Sequence, residues 1–316
     1  MPLDIETHLA LGLDQPTPHT VNGCSNRDIL KALQHPADRV YHPCAEAYPD
    51  ADVATGSVNK YVDWSATDIY AGTIRDLAVY VPAQISADTP ANVLVCNDGM
   101  AYLARNGAVR VTAVLDSLLA KGEIQPTVAI FVNPGRPPGA EPFGGTPGYD
   151  AAADQRRVEY DTLSPAYGTF LAEELLPWVA AETKLTFSDN PADRTVCGIS
   201  SGGICAFSAA WFAPQSFARV ISHCGSFTNI RGGHNFPYLV QSTPRKDLRV
   251  FLQSGVNDAQ TLFGDWPTAN QAMAKALAYA GYDFRFEFGA GGHTLRHGGA
   301  LFADTLRWLW RKPANQ

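Results

Sequence analysis

Residues Thr195–Gly203 read TVCGISSGG. The run opens on apolar and β-branched residues and closes on small ones, so it reads as a buried strand, Arg194 to Gly198, turning into a helix that starts at Gly202. Between the two lies Gly198-Ile199-Ser200-Ser201-Gly202, a G-x-S-x-G pattern. A serine at such a sharp strand-to-helix turn has a strained backbone, tolerates only small flanking residues and stands above the carboxyl edge of the sheet. Ser200 is therefore the candidate nucleophile. The free N–H groups and positive end of the following helix converge on the same point, which makes the Ser201 amide a candidate oxyanion donor.

On both sides of this turn, short apolar runs alternate with helical patterns. Upstream, TIRDLAVYVP from Thr73 alternates as a strand, Asn92 to Asn97 (NVLVCN) is a buried run, Ala108 to Ala120 is helical and TVAIFV, Thr127 to Val132, is a third strand. A helix at Pro165 to Glu182 leads into the turn, and downstream come helices at Gly202 to Phe212, Pro267 to Ala280 and Ala300 to Trp310, with strands at Ala218 to His223, Arg249 to Gln253 and Asp283 to Phe288. Helices between short apolar strands mean crossover connections and a mostly parallel central sheet with helices on both faces. The first two strands are expected to pair antiparallel at one edge. Asn133 to Asp150, a Pro/Gly-rich segment, is neither strand nor helix and is a candidate wall of a site. Residues 1–55 form an irregular amino-terminal lead, with a helix-like piece at Asn26 to Leu33; residues 56–316 form the α/β domain.

A serine hydroxyl needs a base, so the pattern calls for an acid and then a histidine later in the chain. The strand ending near Gln253 runs into Ser254-Gly255-Val256-Asn257-Asp258, and the last strand runs into Gly289-Ala290-Gly291-Gly292-His293. Asp258 and His293 are the candidates because each follows a strand end directly. Asp265 and His297 are their nearest rivals. The second oxyanion donor is expected in Asn97-Asp98-Gly99-Met100, at the Met100 amide. Arg231 and His234, in FTNIRGGHNFPYL, and Arg136, in the Pro/Gly segment, are candidate substrate contacts.

The chain of 316 residues is 46% hydrophobic and 17% charged, enough to bury a large core. Its net charge of −7, with no Lys/Arg cluster, excludes nucleic acid as the expected partner and favours a small molecule. MPLDIETHLALGLDQ lacks the basic start and continuous apolar core of a signal peptide, and no run approaches a membrane span. Six scattered cysteines read as reduced, mostly core-filling thiols, so a cytoplasmic location is expected. His42-Pro43-Cys44 has no second pair at metal-ligand spacing, and neither a metal nor an organic cofactor is expected. The lead is a candidate arm for a homo-oligomer.

Four features together resemble the enterochelin-esterase-like branch of the α/β-hydrolases, which includes esterase D and the mycolyltransferases. They are the run from Cys197 to Phe227, Asp98-Gly99, Arg157-Val158-Glu159-Tyr160-Asp161 ahead of FLAEELLPWV, and Gly291-Gly292-His293. The likeness covers about residues 70 to 312. It implies one α/β-hydrolase domain without a large cap, acting on esters through Ser200, His293 and Asp258. Sugar-linked, hydroxycinnamoyl, acetyl, siderophore-like and lactone esters all fit that implication, as do transfer of the acyl group to another acceptor and a binding protein on the same fold. Siderophore esterases of the branch carry a sizeable amino-terminal domain, where this chain has only its irregular lead.

Overall fold

Eight strands share one sheet in the computed structural model, which describes residues 20–21, 24–25, 35–86, 89–142, 151–261 and 263–311. In chain order they are β1 (Ser57–Trp64), β2 (Arg75–Val81), β3 (Asn92–Asn97), β4 (Thr127–Val132), β5 (Arg194–Ile199), β6 (Arg219–His223), β7 (Arg249–Gly255) and β8 (Asp283–Gly289). Across the sheet the order is β1-β2-β4-β3-β5-β6-β7-β8. All neighbours from β4 to β8 run parallel, while β2 pairs antiparallel with both β4 and β1.

The antiparallel edge differs from expectation. β2 does not pair with β3; its partners are β4 and β1. All six residues of β3 are buried, so this strand needs neighbours on both sides and sits between β4 and β5. β1, SVNKYVDW, is polar and mostly exposed, and an edge strand of that kind carries little apolar alternation to read.

Alternate residues of each central strand supply two cores. Val93, Val95, Val128, Ile130 and Val132 face one side, while Leu94, Cys96, Ala129 and Phe131 face the other. The first side is covered by α5 (Ser201–Phe212), α6 (Phe236–Ser242), α7 (Trp266–Tyr279) and a continuous helical run, 166–183, called α4. In α4 a π-helical turn, Phe170–Leu175, joins two α-helical pieces. The second side is covered by α2 (Val111–Ala120) and α9 (Phe302–Leu309). Three further helices stand at the carboxyl edge: α1 (Gly99–Leu103), α3 (Ala151–Asp161) and α8 (Leu295–Ala300).

Cys96, Cys197, Cys205 and Cys224 are buried, and these four and Cys44 are free thiols. The Asn26 to Leu33 piece and part of the Asn133 to Asp150 segment, residues 143–150, lie outside the described residues. From His35 onward the lead packs on the domain rather than standing apart from it: the Ser117 hydroxyl donates to Glu46 O at 2.8 Å, and Ala47 is buried in the second core. Among the described residues no helix is long and apolar enough to cross a membrane.

Candidate active site

Ser200 has φ 60° and ψ −122°, a region that L-residues occupy only when their surroundings hold them there. Its N–H donates to His223 O at 2.9 Å, and its carbonyl accepts from Gly203 N–H at 3.0 Å and Ser226 N–H at 3.1 Å. A Cβ at Gly198 would collide with the Gly202 backbone, so the strand-to-helix turn closes only over glycine. Positive φ recurs around the same edge, at Asp98 (51°), Cys224 (47°) and Arg231 (43°). Asp98, Ser200 and Cys224 thus put a positive-φ residue directly after each of β3, β5 and β6.

Asp258 Oδ1 lies 2.5 Å from His293 Nδ1 and accepts from Ala259 N–H at 2.7 Å; Oδ2 accepts from the Ser254 hydroxyl at 2.6 Å. Burial pushes the Asp258 pKa up, but His293, Ser254 and the Ala259 amide outweigh it and hold the carboxyl below its usual range. An ionised acid there keeps the imidazole proton on Nδ1 and leaves Nε2 as the acceptor. The rivals are occupied elsewhere. Asp265 is the N-cap of α7, accepting from Thr268 N–H at 2.8 Å. His297 stacks on Tyr41 at 4.2 Å between ring centroids, with Nδ1 3.3 Å from Gln253 Nε2.

The loop carrying His293 is clamped by the lead. Asp38 Oδ1 accepts from Gly292 N–H at 2.9 Å and from the Thr294 hydroxyl at 3.0 Å, and the Tyr41 hydroxyl accepts from Ala290 N–H at 2.9 Å. On the other side of His293, the Trp266 ring meets the imidazole edge-on at 5.7 Å. Trp266 Nε1 donates to Ser226 Oγ at 3.2 Å, and Ser226 Oγ is 3.3 Å from Ser200 Oγ.

The Asp98-Gly99 turn is pressed against β4, where a Cβ at Gly99 would collide with the Phe131 and Val132 backbone. The Met100 N–H faces Asn133 Oδ1 at 3.4 Å, a long hydrogen bond that a stronger acceptor could displace. Asp98 itself holds Arg156 through two bonds, at 2.9 and 2.7 Å. Asn97 ties this loop to α5, its Nδ2 donating to Gly202 O at 3.1 Å while Oδ1 accepts from the Tyr167 hydroxyl at 2.7 Å.

The three candidate substrate contacts separate. Arg231 is partly buried and acts electrostatically on Asp161, whose buried carboxylate also senses Arg156, Arg157 and the Ser201 hydroxyl. Burial nevertheless dominates and pushes the Asp161 pKa up to about 6. His234 is exposed on a short turn, Gly233–Asn235. Arg136 corrects the expectation made for it. Its guanidinium binds Asp63 at 2.5 Å and Asp76 at 3.1 Å, and its Nε donates to Ala140 O, so it pins the loop to the antiparallel edge instead of facing substrate.

Several residues of the site escape a reading by motif. Ser226 follows a strand end but belongs to no pattern, and Asp38 and Tyr41 stand about 250 positions before the loop that they hold. Cys224 offers its Sγ within 4.8 Å of the nearest ligand atoms of Asp258 and His293, the spread of a metal-ligand set. Burial and the Asp258 charge raise its thiol pKa, so a metal there would have to displace that proton and separate the Asp258–His293 pair.

Three comparisons bear on this arrangement. The family model described as "Putative esterase" matches residues 70–309. The iron(III) enterobactin esterase of Dickeya dadantii is 30% identical over 213 residues, 62% of this chain and 43% of that protein. The Escherichia coli O6:H1 enzyme of the same name is 37% identical over 112 residues, covering 33% of this chain and 26% of its own. This chain thus spans less than half the length of either curated relative. The crystal structure of the Shigella flexneri enterobactin esterase with 2,3-dihydroxy-N-benzoyl-glycine superposes with a TM-score of 0.62 at 20% identity, covering 85% of this chain and 63% of that one. The CE1 ferulic acid esterase of Anaeromyces mucronatus superposes at 0.62 with 14% identity, covering 87% and 97%. The sheet order and these superpositions make the fold that of an α/β-hydrolase, and with its model matched across most of the sequence the chain belongs to the "Putative esterase" family.

Proposed function

We propose that the chain hydrolyses carboxylic esters through an acyl-enzyme on Ser200. The observation that carries this reading is the Asp258–His293 pair, 2.5 Å apart, at the same sheet edge as a serine held at positive φ. His293 Nε2 takes the Ser200 proton as Oγ bonds to the ester carbon. The carbonyl π electrons move onto oxygen, held by the Ser201 and Met100 amides. As the carbonyl re-forms, the C–O bond to the alcohol breaks, and the imidazolium protonates the departing oxygen. Water, deprotonated by His293, then repeats the addition and frees the carboxylic acid and Ser200. Asp258 holds the imidazole and offsets its charge. The sequence needs no cofactor.

Arg231 and His234 lie on the loop after β6 and are proposed to meet the substrate. Relatives named for enterobactin and for ferulic acid support esters bearing a hydroxylated aromatic ring as the first substrates to try. With ethyl ferulate and p-nitrophenyl acetate, Ser200→Ala should remove turnover by at least about a thousand-fold. Turnover surviving in that variant would overturn the reading. Products analysed with an added alcohol acceptor distinguish water from a second alcohol as the final acceptor.

A further inference from the structure

We infer that Ser226 is a further catalytic residue, whose hydroxyl donates a hydrogen bond to Ser200 Oγ under the direction of Trp266; the inference rests on Ser200 being the nucleophile. The two serine oxygens are 3.3 Å apart, and by distance alone either could donate. Trp266 breaks the symmetry. Its indole N–H can only donate, and it donates to Ser226 Oγ at 3.2 Å. Ser226 keeps a second lone pair, but among the described residues its one proton meets Ser200 Oγ as its acceptor, whereas the Ser200 proton is the one that His293 takes in the proposed reaction. Ser200, receiving this bond, keeps its own proton for the base.

The polarity therefore runs one way, from Trp266 to Ser226 to Ser200. Its value lies in where charge develops. As the Ser200 proton leaves, negative charge grows on Oγ, and a donor already aimed at that atom strengthens. In the second half of the cycle Oγ is the leaving group and gains the same charge. One hydroxyl thus serves both acylation and deacylation, at a different atom from the amides that hold the carbonyl oxygen.

The surrounding structure fixes this donor rigidly. Ser226 and Trp266 are buried, with relative exposures of 0% and 4%. The Ser226 N–H donates to Ser200 O at 3.1 Å, so the second serine rides on the nucleophile's own turn. Asn270, one turn into α7, donates from Nδ2 to both Gly225 O at 2.9 Å and Trp266 O at 3.0 Å, locking the two donors to each other. The Asp265 cap sets the start of the same helix, which gives that carboxylate a positioning role away from the base.

The test uses the full chain with p-nitrophenyl acetate and the variants Ser226→Ala, Trp266→Phe and their double, beside Ser200→Ala and His293→Ala. Losing a neutral hydrogen bond to the reacting atom should lower kcat about ten-fold in Ser226→Ala with KM changed less than about two-fold. Trp266→Phe should lower kcat by about three-fold, and the double variant should match Ser226→Ala, because the indole acts through the hydroxyl. Ser226→Cys, a weak donor of similar size, should fall between wild type and Ser226→Ala. A wild-type kcat in either folded Ser226 variant, or multiplying losses in the double variant, would overturn the inference while inactive Ser200→Ala and His293→Ala kept the esterase reading. Turnover persisting in Ser200→Ala would overturn both.

Discussion

Asp258 and Asp265 are seven residues apart and hold different partners, His293 for the first and the Thr268 amide for the second. Asp258→Asn should lower kcat by about 10³–10⁴-fold, because an amide at that point no longer holds the Nδ1 tautomer or the imidazolium charge. Asp265→Asn should leave kcat and stability close to wild type, since asparagine caps a helix about as well as aspartate. Steady-state kinetics on the two purified variants check both outcomes, and the opposite ranking would transfer the acid role to Asp265. At this scale the candidates Ser200, Asp258 and His293 could be picked from the sequence because each follows a strand end, where the sheet dictates position. Ser226 and Asp38 could not, since a residue acting through one distant contact leaves no local pattern. Arg136 misled for a related reason: a cation in a Pro/Gly loop looks free until Asp63 of β1 and Asp76 of β2 are folded against it.

Two elements are joined by a buried ion pair that predicts a large cost when broken. Arg75 on β2 binds both Glu159 oxygens on α3, at 2.8 and 3.1 Å, with neither side chain exposed to solvent. Glu159→Gln would leave the guanidinium uncompensated in the core and should destabilise the fold by about 3–5 kcal/mol, read from urea unfolding. A loss below about 1 kcal/mol would show that water reaches the pair. The lead offers a second case. Asp38→Ala strands the Gly292 amide and the Thr294 hydroxyl, and it should lower both stability, by about 1–3 kcal/mol, and kcat, because the loop that it releases carries His293. The long apolar runs of β3, β4 and β7 made these elements readable from period alone. β1 and α3 were missed because one is a polar edge strand and the other, AAADQRRVEYD, holds its partners through charge rather than an apolar stripe.

Over the whole molecule, acid stability carries the imprint of two buried groups with opposite signs. His223, buried beneath Ser200 with its Nδ1 2.9 Å from the Tyr102 hydroxyl, is pushed by burial, with help from His297, from 6.5 down to about 3. Between those values the unfolded chain takes a proton that the folded protein refuses. Stability contributed by neutral His223 is therefore complete above about 6.5 and is lost as pH falls, by up to about 1.4 kcal/mol per pH unit. Asp161, raised from 3.8 to about 6, binds its proton more readily folded, so it returns stability as pH falls across that window. His223→Gln removes only the first effect. Urea midpoints at about pH 7 and about pH 4.5 should fall less in this variant than in wild type, and parallel losses would refute the assignment. The parallel order, the two covered faces and the carboxyl-edge site all followed from alternating strand and helix patterns, while strand neighbours at the edge required the three-dimensional register. The claim on which the rest depends is a covalent acyl-enzyme at Ser200. A fluorophosphonate added to the folded protein should add one phosphonyl group, mapped by peptide mass spectrometry to Ser200 and absent in Ser200→Ala; an unlabelled Ser200, or a label on another residue, would contradict the account.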